Sequence, residues 1–202
     1  ADALVPGRGA ELVGLWRARQ FEYAWLRALA VQYADFWHVT EAALVHAAGA
    51  LQLTLDGPAR ARLLRAHLEL RPWPDVVPAL TALADAGVHL ALLSNFTPRM
   101  LAAAVASAGL TGRFEHLLST DAARTYKPDP RAYRLGTTTL RLAREQIAFA
   151  AFAGWDAVGA RWFGYPSVWV NRLGRPVEAL GASPDATGVD LGVVVDLVLA
   201  RR

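Results

Sequence analysis

Residues 147–170 read IAFAAFAGWDAVGARWFGYPSVWV. Ile147 to Phe152 and Ser167 to Val170 are short, nearly continuous apolar runs, the pattern of strands buried on both faces. Between them Ala157 to Phe163 carries helical spacing, so strand, helix and strand follow one another as a parallel βαβ unit. Upstream the alternation continues. His89 to Leu93 and His116 to Ser119 read as strands, and Val76 to Ala86, Pro98 to Ala108 and Pro130 to Leu142 as helices. The expected fold class is therefore α/β, with a Rossmann-like parallel sheet covered on both faces. Ligands of such sheets bind beyond the carboxyl ends of the strands. That rule points to Ser94, to Thr120 through Lys127 and to Ala153 through Asp156.

The first third is different. Ala10 to Leu29 is helical, and one stripe at near-fourfold spacing reads Val13, Arg17, Phe21, Trp25 and Ala28, which sets a cation inside an apolar face. A second helix is expected from Thr40, and Asp56-Gly57-Pro58 breaks the chain before a third from Ala59 to Leu70. Pro72 and Pro74 close this part. The expected division is residues 1–72 as a helical subdomain and 73–202 as the sheet-bearing core.

Composition narrows the chemistry. With 202 residues, 54% of them hydrophobic and 19% charged, the chain has ample material for a core. It has no cysteine, so disulfides, thiolate metal sites and cysteine nucleophiles are excluded. No run of about 18 apolar residues and no leader pattern occurs, and the expectation is a soluble, cytoplasmic protein without membrane partners. The net charge of +3 comes from scattered arginines rather than a basic stripe, so nucleic acid is not an expected partner. Lys127 is the single lysine beside twenty arginines. A compact ammonium is the one thing a planar guanidinium cannot imitate.

At the strand ends, Ser94-Asn95-Phe96-Thr97-Pro98 reads either as an anion cradle at a helix start or as an ordinary strand-to-helix turn. Tyr126-Lys127-Pro128-Asp129-Pro130 holds the lysine in a proline-stiffened loop. Asp156 follows Trp155 at a helix start, as an N-cap or as a working acid. Arg17 is either an anion receptor beside aromatic rings or a surface partner of Glu22. His38, His46, His67, His89 and His116 show no metal-ligand spacing.

Taken in order, LLSNFTP, YKPDPRAY and GWDAVGARWFGYPSVWVNR resemble motifs two, three and four of the haloacid dehalogenase superfamily, and their details are similar to its L-2-haloacid dehalogenase (type II) branch. PGRG and LWRARQFEYAWL resemble that branch's helical cap. The resemblance implies a Rossmann-like core with a cap. It also implies a reaction in which an aspartate carboxylate displaces halide from a small (S)-2-haloacid with inversion, after which water hydrolyses the ester. It implies Arg17 as anion and halide receptor, Ser94 and Asn95 on substrate carboxylate or halide, and Lys127 orienting the nucleophile. Tyr133 falls at a polar active-site position, Asp156 positions Lys127 or water, and Phe21, Phe36, Phe96 and Trp155 line the pocket. No metal and no cofactor is implied, the partners being the haloacid and its halide. Relatives commonly form dimers, and the aromatic cap helix offers a homodimer face.

Two departures stand out. The superfamily's first motif, a strand ending in Asp, is expected just ahead of Ala1. Leu53-Thr54-Leu55-Asp56-Gly57 imitates it but falls between two cap helices. The sequence as written is therefore expected to be truncated at its N-terminus, without its nucleophile and central strand, and neither fully folded nor active alone. Second, Ala151-Phe152-Ala153 stands where many type II enzymes resemble Ser-Ser-Asn. That loss leaves water activation to Asp156, and together with Phe96 it predicts a preference for small haloacids such as haloacetates. A magnesium-dependent phosphatase of the same superfamily and a non-catalytic relative remain the alternatives, separated by what the first motif contains.

Overall fold

The computed structural model describes residues 1–201. Its first third is helical: α1 (Gly9–Leu29), α2 (Phe36–Ala50) and α3 (Gly57–Arg65). Helix α2 begins at Phe36 rather than Thr40, because the Asp35 carboxylate accepts the amide of His38 and caps it there. Thr40 lies inside the helix and donates its hydroxyl to the Phe36 carbonyl at 2.6 Å. Asp56 is the N-cap of α3, accepting from the Ala59 amide, and α3 stops at Arg65 rather than continuing to Leu70. The buried face of α1 is Leu12, Trp16, Gln20 and Ala24, one step round from the expected stripe. Val13 is 44% exposed, whereas Arg17 and Phe21 line the edge of a cleft. These helices share a core of Leu12, Trp16, Ala43, Leu44, Ala47, Leu63 and Leu64.

From Val76 onward helices and strands alternate: α4 (Val76–Asp85), β1 (Ala91–Ser94), α5 (Pro98–Ser107), β2 (His116–Ser119), α6 (Pro130–Leu140), β3 (Phe149–Ala151), α7 (Gly154–Phe163), β4 (Ser167–Val170), β5 (Ala186–Gly188) and α8 (Gly192–Leu199). Every strand pairing is parallel. The mixed α/β class with a parallel sheet is the one expected, but among the described residues the strands form two sheets, β1-β2 and β3-β4-β5, with no ladder between them. Strands β1 and β3 are shorter than the apolar runs that encode them. All four residues of β1 are only half-buried, because its free edge opens on a cavity. Strand β5 and helix α8 had no sequence signal: Ala-Thr-Gly lacks the β-branched density that marks a strand. No helix among the described residues is long and apolar enough to cross a membrane.

One buried-edge ion pair ties the core's ends together. Arg172, after β4, makes a two-point contact with Asp75 at 2.9 and 2.8 Å, and Asp75 also accepts the Leu191 amide at the start of α8. The guanidinium holds the Asp75 carboxyl down at about 2. A depressed carboxylate stabilises the fold above its unfolded pKa and loses that contribution as pH falls through the folded value. We predict that Asp75→Asn costs about 1–2 kcal/mol at neutral pH, a partly exposed pair being discounted for solvent screening. Urea unfolding should show the gap between variant and parent closing as pH falls from 3.8 towards about 2.

Candidate active site

The carboxyl ends of β1 and β3, the loop before α6 and the first turn of α7 meet around Lys127. The loop is held before the lysine is placed: the Asn95 side-chain carbonyl accepts the Lys127 amide at 2.9 Å, and the Trp25 indole of α1 donates to the Lys127 carbonyl at 3.1 Å. The ammonium then donates to Asp156 at 2.5 Å and to the Leu93 carbonyl at 3.2 Å, and it stands 5.3 Å from the centre of the Phe149 ring. Both side chains of the ion pair are 10% exposed.

Asp156 is not an N-cap; that position belongs to Ala153. One carboxylate oxygen takes Lys127 and the other takes the Tyr133 hydroxyl at 2.8 Å. Burial, joined by the Asp156 charge, pushes the Tyr133 phenol far above its ordinary value, so it stays protonated and serves as a donor. Tyr133 is itself fixed by a ring cluster with Phe149, Phe163 and Tyr165. Asp156 is therefore a doubly engaged orienting group.

Above this centre α1 and α2 contribute an aromatic wall. Phe21 meets Trp155 edge-on at 5.3 Å and stacks on Trp25 at 5.7 Å, while Phe36 lies 5.8 Å from Phe96. Arg17 stacks over Phe21 at 4.8 Å. The Arg17 guanidinium is accessible through the cleft, yet protein crowds most of its sides, and that burial lowers its pKa. It remains charged. Glu22, its alternative surface partner, is instead bound by Arg19 at 2.5 Å. A weakly hydrated cation against aromatic faces suits a weakly hydrated anion.

A single cavity of about 960 Å³ is lined by Arg17, Phe21, Phe36, Ser94, Asn95, Phe96, Lys127, Trp155 and Asp156. Tyr133 is outside its lining and acts through Asp156, and of the loop from Thr120 to Lys127 only Lys127 reaches it. Ser94 accepts the Phe96 amide at 3.1 Å, and Asn95 serves first to position Lys127. Thr120, at the start of the loop to which the strand-end rule points, donates its hydroxyl to the Asn95 side-chain carbonyl at 3.4 Å. Sequence reasoning did not single out Trp25 and Phe149 for the site, because an isolated aromatic carries no local signal for a contact made across the fold.

Removing one partner of a buried ion pair strands the other charge, whereas removing both does not. We predict that Asp156→Ala costs about 3–5 kcal/mol in urea unfolding, and that adding Lys127→Met recovers part of that loss.

The haloacid dehalogenase-like hydrolase family matches residues 5–164. An (S)-2-haloacid dehalogenase of Pseudomonas sp. (strain YL) is 44% identical over 196 residues, covering 97% of this chain and 84% of that protein. The haloacetate dehalogenase H-2 of Moraxella sp. (strain B) is 42% identical over 96% of this chain and 86% of its own length. The Xanthobacter autotrophicus L-2-haloacid dehalogenase with chloropropionic acid covalently bound superposes with a TM-score of 0.92 at 35% identity, covering 100% of this chain and 91% of that one. On its sequence match and on its fold, the chain belongs to the haloacid dehalogenase-like hydrolases.

Proposed function

We propose that this protein hydrolyses small (S)-2-haloacids to (R)-2-hydroxyacids, a hydrolase reaction at a carbon–halide bond. The observation that carries this reading is the pairing, in one cavity, of an accessible Arg17 on an aromatic wall with the Lys127–Asp156 pair. The names of its relatives agree with it.

In this reading, residues 1–72 act as a cap over a core of residues 73–202. Arg17 receives the halide as it leaves with the electron pair of the broken C–X bond, and Phe21, Phe36, Phe96 and Trp155 keep water from the reacting carbon. Ser94 and the Asn95 amide hold the substrate carboxylate. The oxygen that forms the new C–O bond belongs to an aspartate carboxylate other than Asp156, both of whose oxygens are engaged. Lys127 balances that carboxylate's charge and orients it, and Tyr133 keeps Asp156 turned towards Lys127. Water then cleaves the ester. The residues need neither metal nor cofactor for these steps. The exposed apolar side chains of Leu26 and Leu29, on one face of the last turn of α1, supply part of the face of a homodimer, and the cysteine-free composition suits the cytoplasm.

The test is halide release from the separate enantiomers of 2-chloropropionate, with chiral analysis of the lactate formed. We expect turnover of the (S) form alone to (R)-lactate and faster turnover of chloroacetate than of long-chain 2-haloacids. We further expect a loss of kcat/KM of about 10²-fold or more in Arg17→Gln, about 2.7 kcal/mol of lost transition-state stabilisation. Magnesium-dependent hydrolysis of a phosphate monoester without halide release would overturn the reading.

A further inference from the structure

Among the described residues, every hydrogen bond that residues 9–50 make with residue 73 and beyond falls on the segment from Asp121 to Lys127. The Tyr33 hydroxyl, in the loop between α1 and α2, donates to Asp121 at 2.5 Å, the Tyr126 hydroxyl donates back to the Ala34 carbonyl of that loop, and the Trp25 indole reaches the Lys127 carbonyl. Apolar packing encloses these bonds: Phe36 and Val39 of α2 share one buried cluster with Met100 of α5 and Tyr126. Burial, joined for Tyr33 by the bond to Asp121, pushes both phenols above their ordinary values, so each stays protonated as a donor. The core end of the contact is itself anchored. Asp121 lies in the 3₁₀ turn Thr120–Ala123 after β2. Its amide donates to the Ser119 hydroxyl at 3.2 Å, and that hydroxyl donates at 2.6 Å to the Phe96 carbonyl, in the turn that carries Ser94 and Asn95. The Tyr33 ring lies 5.3 Å from Tyr126, and the Arg124 guanidinium stands over it at 5.2 Å.

We propose that Tyr33 and Asp121 form a clasp that registers the first two helices against the Lys127 loop, and that they are positioning residues for the reaction because this clasp sets where Arg17 stands relative to Lys127. Arg17 rides on α1 and Lys127 ends the clasped segment, so the bonds of that segment fix their separation. Ser94 and Asn95, which hold the substrate carboxylate, lie on the core side alone, whereas the halide receptor lies on the helical side. Opening the clasp therefore leaves substrate capture intact and misplaces the cation that stabilises the departing halide. This consequence for turnover rests on the proposed function; the clasp itself does not.

The test compares Tyr33→Phe, Asp121→Ala and Asp121→Asn with the parent protein. Tyr33→Phe keeps the ring and its packing and removes only the hydroxyl, while Asp121→Asn keeps a side-chain carbonyl to accept that hydroxyl. For Tyr33→Phe and Asp121→Ala we expect kcat on chloroacetate to fall about tenfold with KM within about twofold of the parent. On bromoacetate, whose better leaving group needs less help from Arg17, the fall should be about threefold or less. Asp121→Asn should restore most of the chloroacetate rate, and Tyr33→Phe combined with Asp121→Ala should cost no more than either alone. Amide exchange in Tyr33→Phe and Asp121→Ala should quicken by about tenfold or more in residues 31–36 and 121–127 together, with β4 and α8 unchanged. Rates on the two haloacetates that stay at the parent's or fall by one common factor, or exchange that quickens in only one of the two segments, would overturn the clasp. Exchange quickened in both segments of a protein that releases no halide from either substrate would keep the clasp and remove the dehalogenase reading.

Discussion

The buried contact between the Lys127 ammonium and the Asp156 carboxylate constrains the rest of the structure. Two charges at 10% exposure are tolerable only when their remaining bonding capacity is satisfied. Here that demand recruits the Leu93 carbonyl of β1, the Tyr133 hydroxyl of α6 and, through the lysine's own backbone, Asn95 and the Trp25 indole. Four elements are thereby fixed to one point at the strand ends. The first helix joins them, so the aromatic wall and Arg17 are aligned with that point rather than free to drift.

The same arrangement restricts what Asp156 can do. Asp156 cannot attack a substrate without breaking two short hydrogen bonds, and Tyr133 holds it against rotation. It orients. The open space between β1 and β3 ends at Lys127. At the lip of that space Ala151, Phe152 and Ala153 offer no hydroxyl or amide side chain. Polar side chains in the cavity gather around Lys127, and most of its remaining wall is aliphatic and aromatic.

Much of this was legible in the sequence because it is written locally. The parallel α/β alternation shows in apolar runs at 89–93, 116–119 and 167–170, and the strand-end rule then selects Ser94, Lys127 and Asp156 without a structure. What could not be read depends on contacts between distant segments. The face that α1 buries was misplaced by one position, since amphipathic spacing gives a stripe but not which neighbour covers it. Asp35, not Thr40, starts α2, because two capping residues lie close together and only the fold chooses between them. The short β5 and α8 form against β4 and α4 and have little identity of their own. Trp25 belongs to the site through a hydrogen bond spanning 102 residues and Phe149 through its ring face beneath the Lys127 ammonium, neither of which spacing can show.

The central claim is that a protein carboxylate, oriented by Lys127, forms the new carbon–oxygen bond. A single turnover with enzyme in excess over (S)-2-chloropropionate in ¹⁸O-enriched water tests it most directly. The account predicts lactate whose new hydroxyl is unlabelled, with the label left on the protein carboxylate when water cleaves the ester at its acyl carbon. Labelled lactate in the first turnover would mean that water attacks the substrate directly, and would contradict it.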